Sequence, residues 1–303
     1  MHPELNGIIV IDKPAGITSA KVVAIVKKVL RARKVGHTGT LDPFATGVMI
    51  CCINHATRLA NFFLSGNKIY EAVLRLGIET DTQDLTGRVI SKRNKVEFSE
   101  KRIRSVVKQF IGTIEQQPPI FSALKHKGIP LYKLARSGKP VQKPARRVVI
   151  SSINVREIIL PELLLGVSCS AGTYIRTLCA DIGVALGCGG HLKALRRTES
   201  SGFSINEALT LSELEALVLA GKVSDHIIDM SNALRGMPKD IADNTLIEKI
   251  RYGKIITTSD FAADTKHYPG NFIKVVDNDN RLLAVLSPNK KGDTYKYNCV
   301  FHQ

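Results

Sequence analysis

The pattern in this chain most able to do chemistry is an aspartate followed by a proline, set among three glycines: Gly36-His37-Thr38-Gly39-Thr40-Leu41-Asp42-Pro43-Phe44-Ala45-Thr46-Gly47. Glycine lets a backbone turn tightly and come close to a bound molecule. Pro43 biases Asp42 toward an extended conformation and keeps it out of a helix. No other acidic residue lies between Asp12 and Asp42, whereas Lys21, Lys27, Lys28, Arg31, Arg33 and Lys34 do. A lone carboxylate in a basic, glycine-rich stretch has two readings: it caps a turn, or it is an ionised group held for reaction. His37, five positions upstream, would suit general acid-base work.

The whole segment resembles the signature of the TruB family of tRNA pseudouridine synthases, Gly-His-x-Gly-Thr-Leu-Asp-Pro-x-Ala-Thr-Gly, with Thr38 and Phe44 where that family varies. Four further segments carry the same resemblance: Ile11-Asp12-Lys13-Pro14, Asn67-Lys68-Ile69-Tyr70-Glu71-Ala72, Gly172-Thr173-Tyr174-Ile175-Arg176 and Leu195-Arg196-Arg197-Thr198. Together they span about residues 5 to 230. The resemblance implies conversion of a T-loop uridine of tRNA (U55) to pseudouridine. It implies Asp42 as the essential carboxylate, Arg176 as its cationic partner and Tyr70 stacked on the target base. Tyr174 and Leu195 would line the same pocket, and His37 would fill the gap left in the RNA stack rather than move protons. Lys13 would lie near the substrate and support the loop. Cys188-Gly189-Gly190 departs from a more usual Gly-Ala pattern before His191, away from every one of these positions.

That chemistry is redox-neutral. It breaks a glycosidic bond, turns the base over and rejoins it through carbon. A stacked base must first be extruded. The needs are a carboxylate facing the sugar, a cation to keep it ionised, a flat group for the base and a basic grip on phosphates. No cofactor or metal is expected: neither a phosphate-binding loop nor a dinucleotide fingerprint occurs, and no Cys or His spacing suits zinc. The six cysteines read as reduced, buried, small apolar residues.

The composition agrees with a nucleic-acid partner. Forty-three Lys and Arg against 27 Asp and Glu give a net charge of +16, which favours a polyanion, nucleic acid before a membrane surface; the resemblance makes that nucleic acid tRNA. From Phe121 to Ile150 there are basic side chains at Lys125, Lys127, Lys133, Arg136, Lys139, Lys143, Arg146 and Arg147, and no Asp or Glu. With its glycines and prolines, the stretch 118–147 reads as a long RNA-clamping insertion or a solvated arm. No run is long and apolar enough to span a membrane and no secretory signal is visible, so a cytoplasmic protein is expected, monomeric and without an obligate protein partner.

The elements that must position these residues follow from periodicity. Gly7–Ile11 and Val48–Ile53 read as short apolar strands. Thr18 or Ser19 can cap a helix whose Val22, Ile25, Val26, Val29 and Leu30 share a face. Tyr70–Leu76, Val148–Val155 and Leu163–Ser170 read as strands. A helix with Ile175, Leu178, Cys179, Ile182 and Leu186 on one face stops at Gly187, which sets Tyr174 and Arg176 in its first turn. The expected fold class is α+β: a pseudouridine synthase fold with a mixed, largely antiparallel sheet flanked by helices over residues 1–235, then a small, mostly β PUA-like RNA-binding unit over 236–303. The alternative is a tRNA-folding chaperone without catalysis. An aspartate-dependent hydrolase or phosphotransferase has less support, since it would want a metal or phosphate loop.

Overall fold

The computed structural model describes residues 5–261, 271–289 and 293–301. Its larger sheet is built around β1 (Gly7–Lys13), β2 (Val35–Thr38), β3 (Thr46–Ile53) and β4 (Lys68–Leu76). The first and third of these read as near-continuous apolar runs because both faces are covered. Ile9, Ile11, Met49 and Cys51 pack against the helix Ser19–Val29 and Leu214. Ile8, Val10, Val48 and Ile50 pack against Val276, Leu282, Val285 and Phe301 of the C-terminal region.

Along the main path the order is β1, β3, the strand Gly190–Ser200, β4, then the strands Glu162–Cys169, Arg146–Ile159 and Gly112–Gln116. Every pair on this path is antiparallel except β3 with Gly190–Ser200, which run parallel at Arg196↔Thr46 and Arg197↔Gly47. The sheet is therefore mixed and largely antiparallel, as expected. On β4 burial alternates strictly, with Tyr70, Ala72, Leu74 and Leu76 inward. Helices Glu100–Lys108 and Ile175–Leu186 cover that inner face through Ile103, Val106, Val107, Ile175, Leu178 and Ile182. A five-stranded sheet follows in the C-terminal region, in the order Lys239–Ile241, Ile273–Val276, Leu282–Pro288, Thr294–Val300, Ile256–Thr257.

Three local details differ from the sequence reading. His37 and Thr38 belong to β2 rather than to the glycine-rich loop, which runs only from Gly39 to Ala45. Tyr174 is the N-cap of the Ile175–Leu186 helix, with φ −100 and ψ 110, and Arg176 is the second helical residue. The basic stretch carries, besides the helical turn at Leu131–Arg136 that its sequence suggests, a small hairpin of Lys125–His126 with Ile129–Pro130 that it does not.

Candidate active site

The loop that carries Asp42 is pinned from below. Lys13 is fully buried, and its ammonium donates to the carbonyls of Pro14 (2.8 Å), Pro43 (3.1 Å) and Ala45 (2.7 Å). Three donors meet three acceptors, so Lys13 braces the loop and is walled off from the cavity. Burial, with Arg197 adding to it against Asp42, lowers its pKa to about 8. Thr18 caps the first helix, which frees the Ser19 hydroxyl to brace Leu41 at both its N–H (3.0 Å) and its C=O (3.1 Å). Asp42 is left with its carboxylate about one-third exposed.

Arg176 reaches that carboxylate. It is buried, and its Nε lies 3.0 Å from Asp42 Oδ2, an ion pair whose N–H is not aligned as a hydrogen bond. The rest of the guanidinium is fixed by Thr82 O (3.0 Å), Phe121 O (2.8 Å) and Asp84 Oδ2 (3.3 Å). Asp84 is itself buried and accepts from the Thr82 hydroxyl and from Thr86 N and Oγ1. Arg176 thus sits between two carboxylates, one locked and one facing open space. Burial raises the Asp42 pKa above the ordinary carboxylate range, while Arg176 and Lys13 oppose it and Asp84 reinforces it.

Asp42 and Arg176 open into a cavity of about 340 Å³ whose wall includes Tyr70, Tyr174, Leu195, Arg146, Lys68 and Arg197. Tyr70 points inward from β4 and is buried; burial raises its pKa and Arg197 works against that rise. Tyr174 is held by Gln116, whose side-chain amide accepts from Tyr174 N (2.7 Å) and donates to Tyr174 O (3.0 Å). The Arg146 guanidinium lies 5.1 Å from the centre of the Tyr174 ring. The arrangement can hold a flat, uncharged ring between apolar and aromatic surfaces while one carboxylate meets whatever is attached to it.

Of the residues singled out from the sequence, Asp42, Arg176, Tyr70, Tyr174 and Leu195 converge on this cavity. Lys13 and His37 are not part of its wall. His37 is half-buried on β2 opposite Cys51, its Nδ1 enclosed without a hydrogen-bond partner, and its pKa is lowered by burial and by Arg197. Its ring is held toward the neutral form, outside the wall of the cavity that Asp42 lines. Sequence reasoning passed over Asp84, Gln116, Lys68 and Arg197. The dense run of Thr and Asp at Thr80–Thr86 was the signal available for the first of these. Among the described residues no group of three or more His, Cys, Asp or Glu side chains gathers to hold a metal.

Comparison with known proteins gives consistent results. Residues 27–175 match the family model "TruB family pseudouridylate synthase (N terminal domain)", and residues 176–236 match "tRNA pseudouridylate synthase B C-terminal domain". A tRNA pseudouridine synthase B of Alkaliphilus oremlandii is 46% identical over 265 residues, covering 88% of this chain and 87% of its own. One from Burkholderia mallei is 38% identical over 281 residues, covering 93% and 92%. Among solved structures, an H/ACA RNP bound to a substrate RNA containing 2′-deoxyuridine has a chain that superposes with a TM-score of 0.75 at 25% identity, covering all of this chain and 92% of that one. A Cbf5-Nop10-Gar1 complex gives 0.75 at 28% identity, covering 98% and 85%.

Proposed function

Because the chain belongs to the TruB family of pseudouridylate synthases, we propose that its cavity receives a uridine flipped from the T loop of tRNA, U55, and that Asp42 acts on the ribose of that nucleotide. The protein is an enzyme that isomerises uridine to pseudouridine in tRNA. The observation that supports the residue assignment is the Asp42–Arg176 pair in the wall of a cavity that also carries Tyr70, Tyr174, Leu195 and further basic side chains. Arg176 keeps Asp42 ionised and aimed against the desolvation that would protonate it. Tyr174 and Leu195 shape the slot for the uracil ring, and Tyr70 stacks on it beside the carbon whose proton must leave. The Pro118–Arg147 segment grips the T arm through phosphate contacts, and the residues beyond 236 add grip as an RNA-binding unit. The enzyme works as a monomer without an obligate protein partner.

A binding protein would have no use for a half-open carboxylate backed by a doubly paired guanidinium. The two readings separate in one experiment. Asp42→Asn abolishes release of the C5 proton from labelled tRNA while tRNA affinity stays within about threefold, since phosphate contacts supply most of the binding. Full turnover by the Asn variant would remove Asp42 from the mechanism, and a wild type that binds tRNA but never yields pseudouridine would favour the chaperone.

A further inference from the structure

Three cations of the cavity wall, Arg197, Lys68 and Arg146, meet backbone carbonyls rather than a described carboxylate, and Arg197 is the most deeply buried of them. Arg197 is 1% exposed and lines the same cavity as Asp42 and Tyr70. Its Nε donates to Val48 O (2.7 Å) and its Nη2 to Gly39 O (3.0 Å), both neutral carbonyls. The two nearby carboxylates, Asp42 and Asp84, are both placed on Arg176, and no described carboxylate lies at ion-pair distance from Arg197. A buried charge is costly unless something of opposite sign faces it. The field of this one is felt across the site, where it works to lower the pKa of Lys13, His37 and Lys68.

The strand pairing fixes where it points. Arg197 lies directly opposite Tyr70 in the antiparallel pair of Gly190–Ser200 with β4, so the two side chains leave the same face of the sheet. A Cβ on Gly47 would fall 2.1 Å from Arg197 O, and one on Gly39 would fall 3.4 Å from Arg197 Nη1. Gly47 of β3 thus lets the backbone at Arg197 come close, and Gly39 lies in van der Waals reach of its guanidinium.

When the bond between C1′ and N1 breaks, its electron pair goes to the uracil and spreads onto O2 and O4. Asp42 and Arg176 are paired with each other; Arg197, opposite Tyr70 in the sheet, is the most deeply buried of the wall's cations without an acid. We propose that Arg197 is the counter-charge for the detached uracil anion, a guanidinium fixed in advance that stabilises the ring while it turns. The proposal rests on the pseudouridine synthase reading of the Asp42 site. Its balance is simple. Whatever Asp42 takes from the sugar, a bond at C1′ or a ribose proton, it gives back as the pair returns from the ring and C5 bonds to C1′; the C5 proton leaves on the Tyr70 side, and N1 takes up a proton. Arg197 makes and breaks no covalent bond.

The test uses the full-length protein in single turnover with a T-arm hairpin carrying uridine or 5-fluorouridine at the target. Fluorine at C5 stabilises the uracil anion by itself, so glycosidic cleavage of that substrate needs external charge less. Arg197→Gln lowers the rate on uridine by roughly 100- to 1,000-fold, the loss typical of a missing charge-stabilising donor, and on 5-fluorouridine by about tenfold or less. Hairpin affinity stays within about threefold, because bound RNA owes its affinity to phosphate contacts. Arg197→Lys, which keeps the charge, loses less on uridine than the Gln variant. Equal fractional losses on the two substrates would mean a structural role and overturn the proposal; so would an unchanged rate. If the Gln variant does not fold, the Lys variant compared on both hairpins decides by the same criterion. A wild type that modifies neither hairpin would overturn the underlying function instead.

Discussion

At the scale of single residues, the role proposed for Asp42 makes its ionisation the state on which turnover depends. Burial holds its pKa above the ordinary carboxylate range, and the guanidinium of Arg176 is the largest influence pulling it back. In the proposed mechanism the reactive form is the ionised one, so the acid limb of the single-turnover rate against pH lies above the usual carboxylate range. Arg176→Met moves that limb further toward alkaline pH, because the largest stabiliser of the anion is gone; a limb that stays put would separate Arg176 from the ionisation of Asp42. Stability moves with the opposite sign to activity. A carboxyl whose folded pKa is raised contributes stability that is complete below its unfolded pKa and is lost as pH rises through the folded one. The inner wall of the cavity was only partly legible in the sequence. Asp42, Arg176, Tyr70, Tyr174 and Leu195 were visible through their motifs. Asp84 was not, since its contact with Arg176 spans 92 residues and no local spacing announces it. Nor could Arg196-Arg197 reveal which arginine turns inward. The pleat decides: Arg196 faces out to Asp12 at 2.7 Å, and Arg197 faces the cavity.

At the scale of elements, the loop from Gly39 to Ala45 works because short strands and buried donors hold both of its ends. Gly47 shows how tight this is. It has φ +103, and an added Cβ would lie 2.1 Å from the carbonyl oxygen and 2.8 Å from the nitrogen of Arg197, both backbone atoms. Gly16 has φ +85 with nothing within 4 Å of a built Cβ. Gly47→Ala therefore destabilises by about 3 kcal/mol or more, through a backbone clash added to left-handed strain, while Gly16→Ala costs about 1 kcal/mol from strain alone. Urea midpoints of the two variants measure the difference, and equal costs would mean that β3 can slide away from the Gly190–Ser200 strand. Elements with a strong local signal were readable. The alternation of Tyr70–Leu76, the heptad-like face of the Ile175–Leu186 helix and the Gly187 stop, with φ +83, all appear in place. β2 was not readable, because His37 and Thr38 carry no alternating apolar pattern and become a strand only by pairing with Cys51 and Ile50. The helix Leu131–Arg136 was readable only as a single turn, since Leu131 alone of it is fully buried, and the two-residue strands of the hairpin before it are too short to show a pattern.

At the scale of the whole molecule, packing and charge divide the labour. The outer face of β1 and β3 shares one apolar core with the C-terminal sheet. Phe62 meets Phe272 edge to face at 5.1 Å, and the Lys274 ammonium donates to Ser231 O (2.8 Å) and Leu234 O (3.1 Å). A tRNA held at both regions therefore meets one continuous body. No described helix is long and apolar enough to cross a membrane. The net charge of +16 is the long-range part of recognition, and Lys125, Lys127 and Lys133 are its exposed outposts beside the cavity, since Ala123 and Leu124 of the same segment form part of the cavity wall. Each cation that neutralises a phosphate releases counter-ions, so the logarithm of affinity falls with the logarithm of salt in proportion to the number of contacts. If about six phosphates are engaged, affinity for tRNA drops by roughly 1,000-fold between 50 and 200 mM monovalent salt. Replacing Lys125, Lys127 and Lys133 together by Ala reduces the slope by about three and weakens binding at low salt, one unit per lost phosphate contact. The rate at saturating RNA stays within a few-fold of wild type, because none of the three belongs to the cavity wall. Filter binding across a salt series measures the slope and single turnover measures the rate. An unchanged slope would place the phosphate grip elsewhere on the molecule, and an unchanged slope with a collapsed rate would mean that the segment acts on the catalytic loop and not on the RNA backbone.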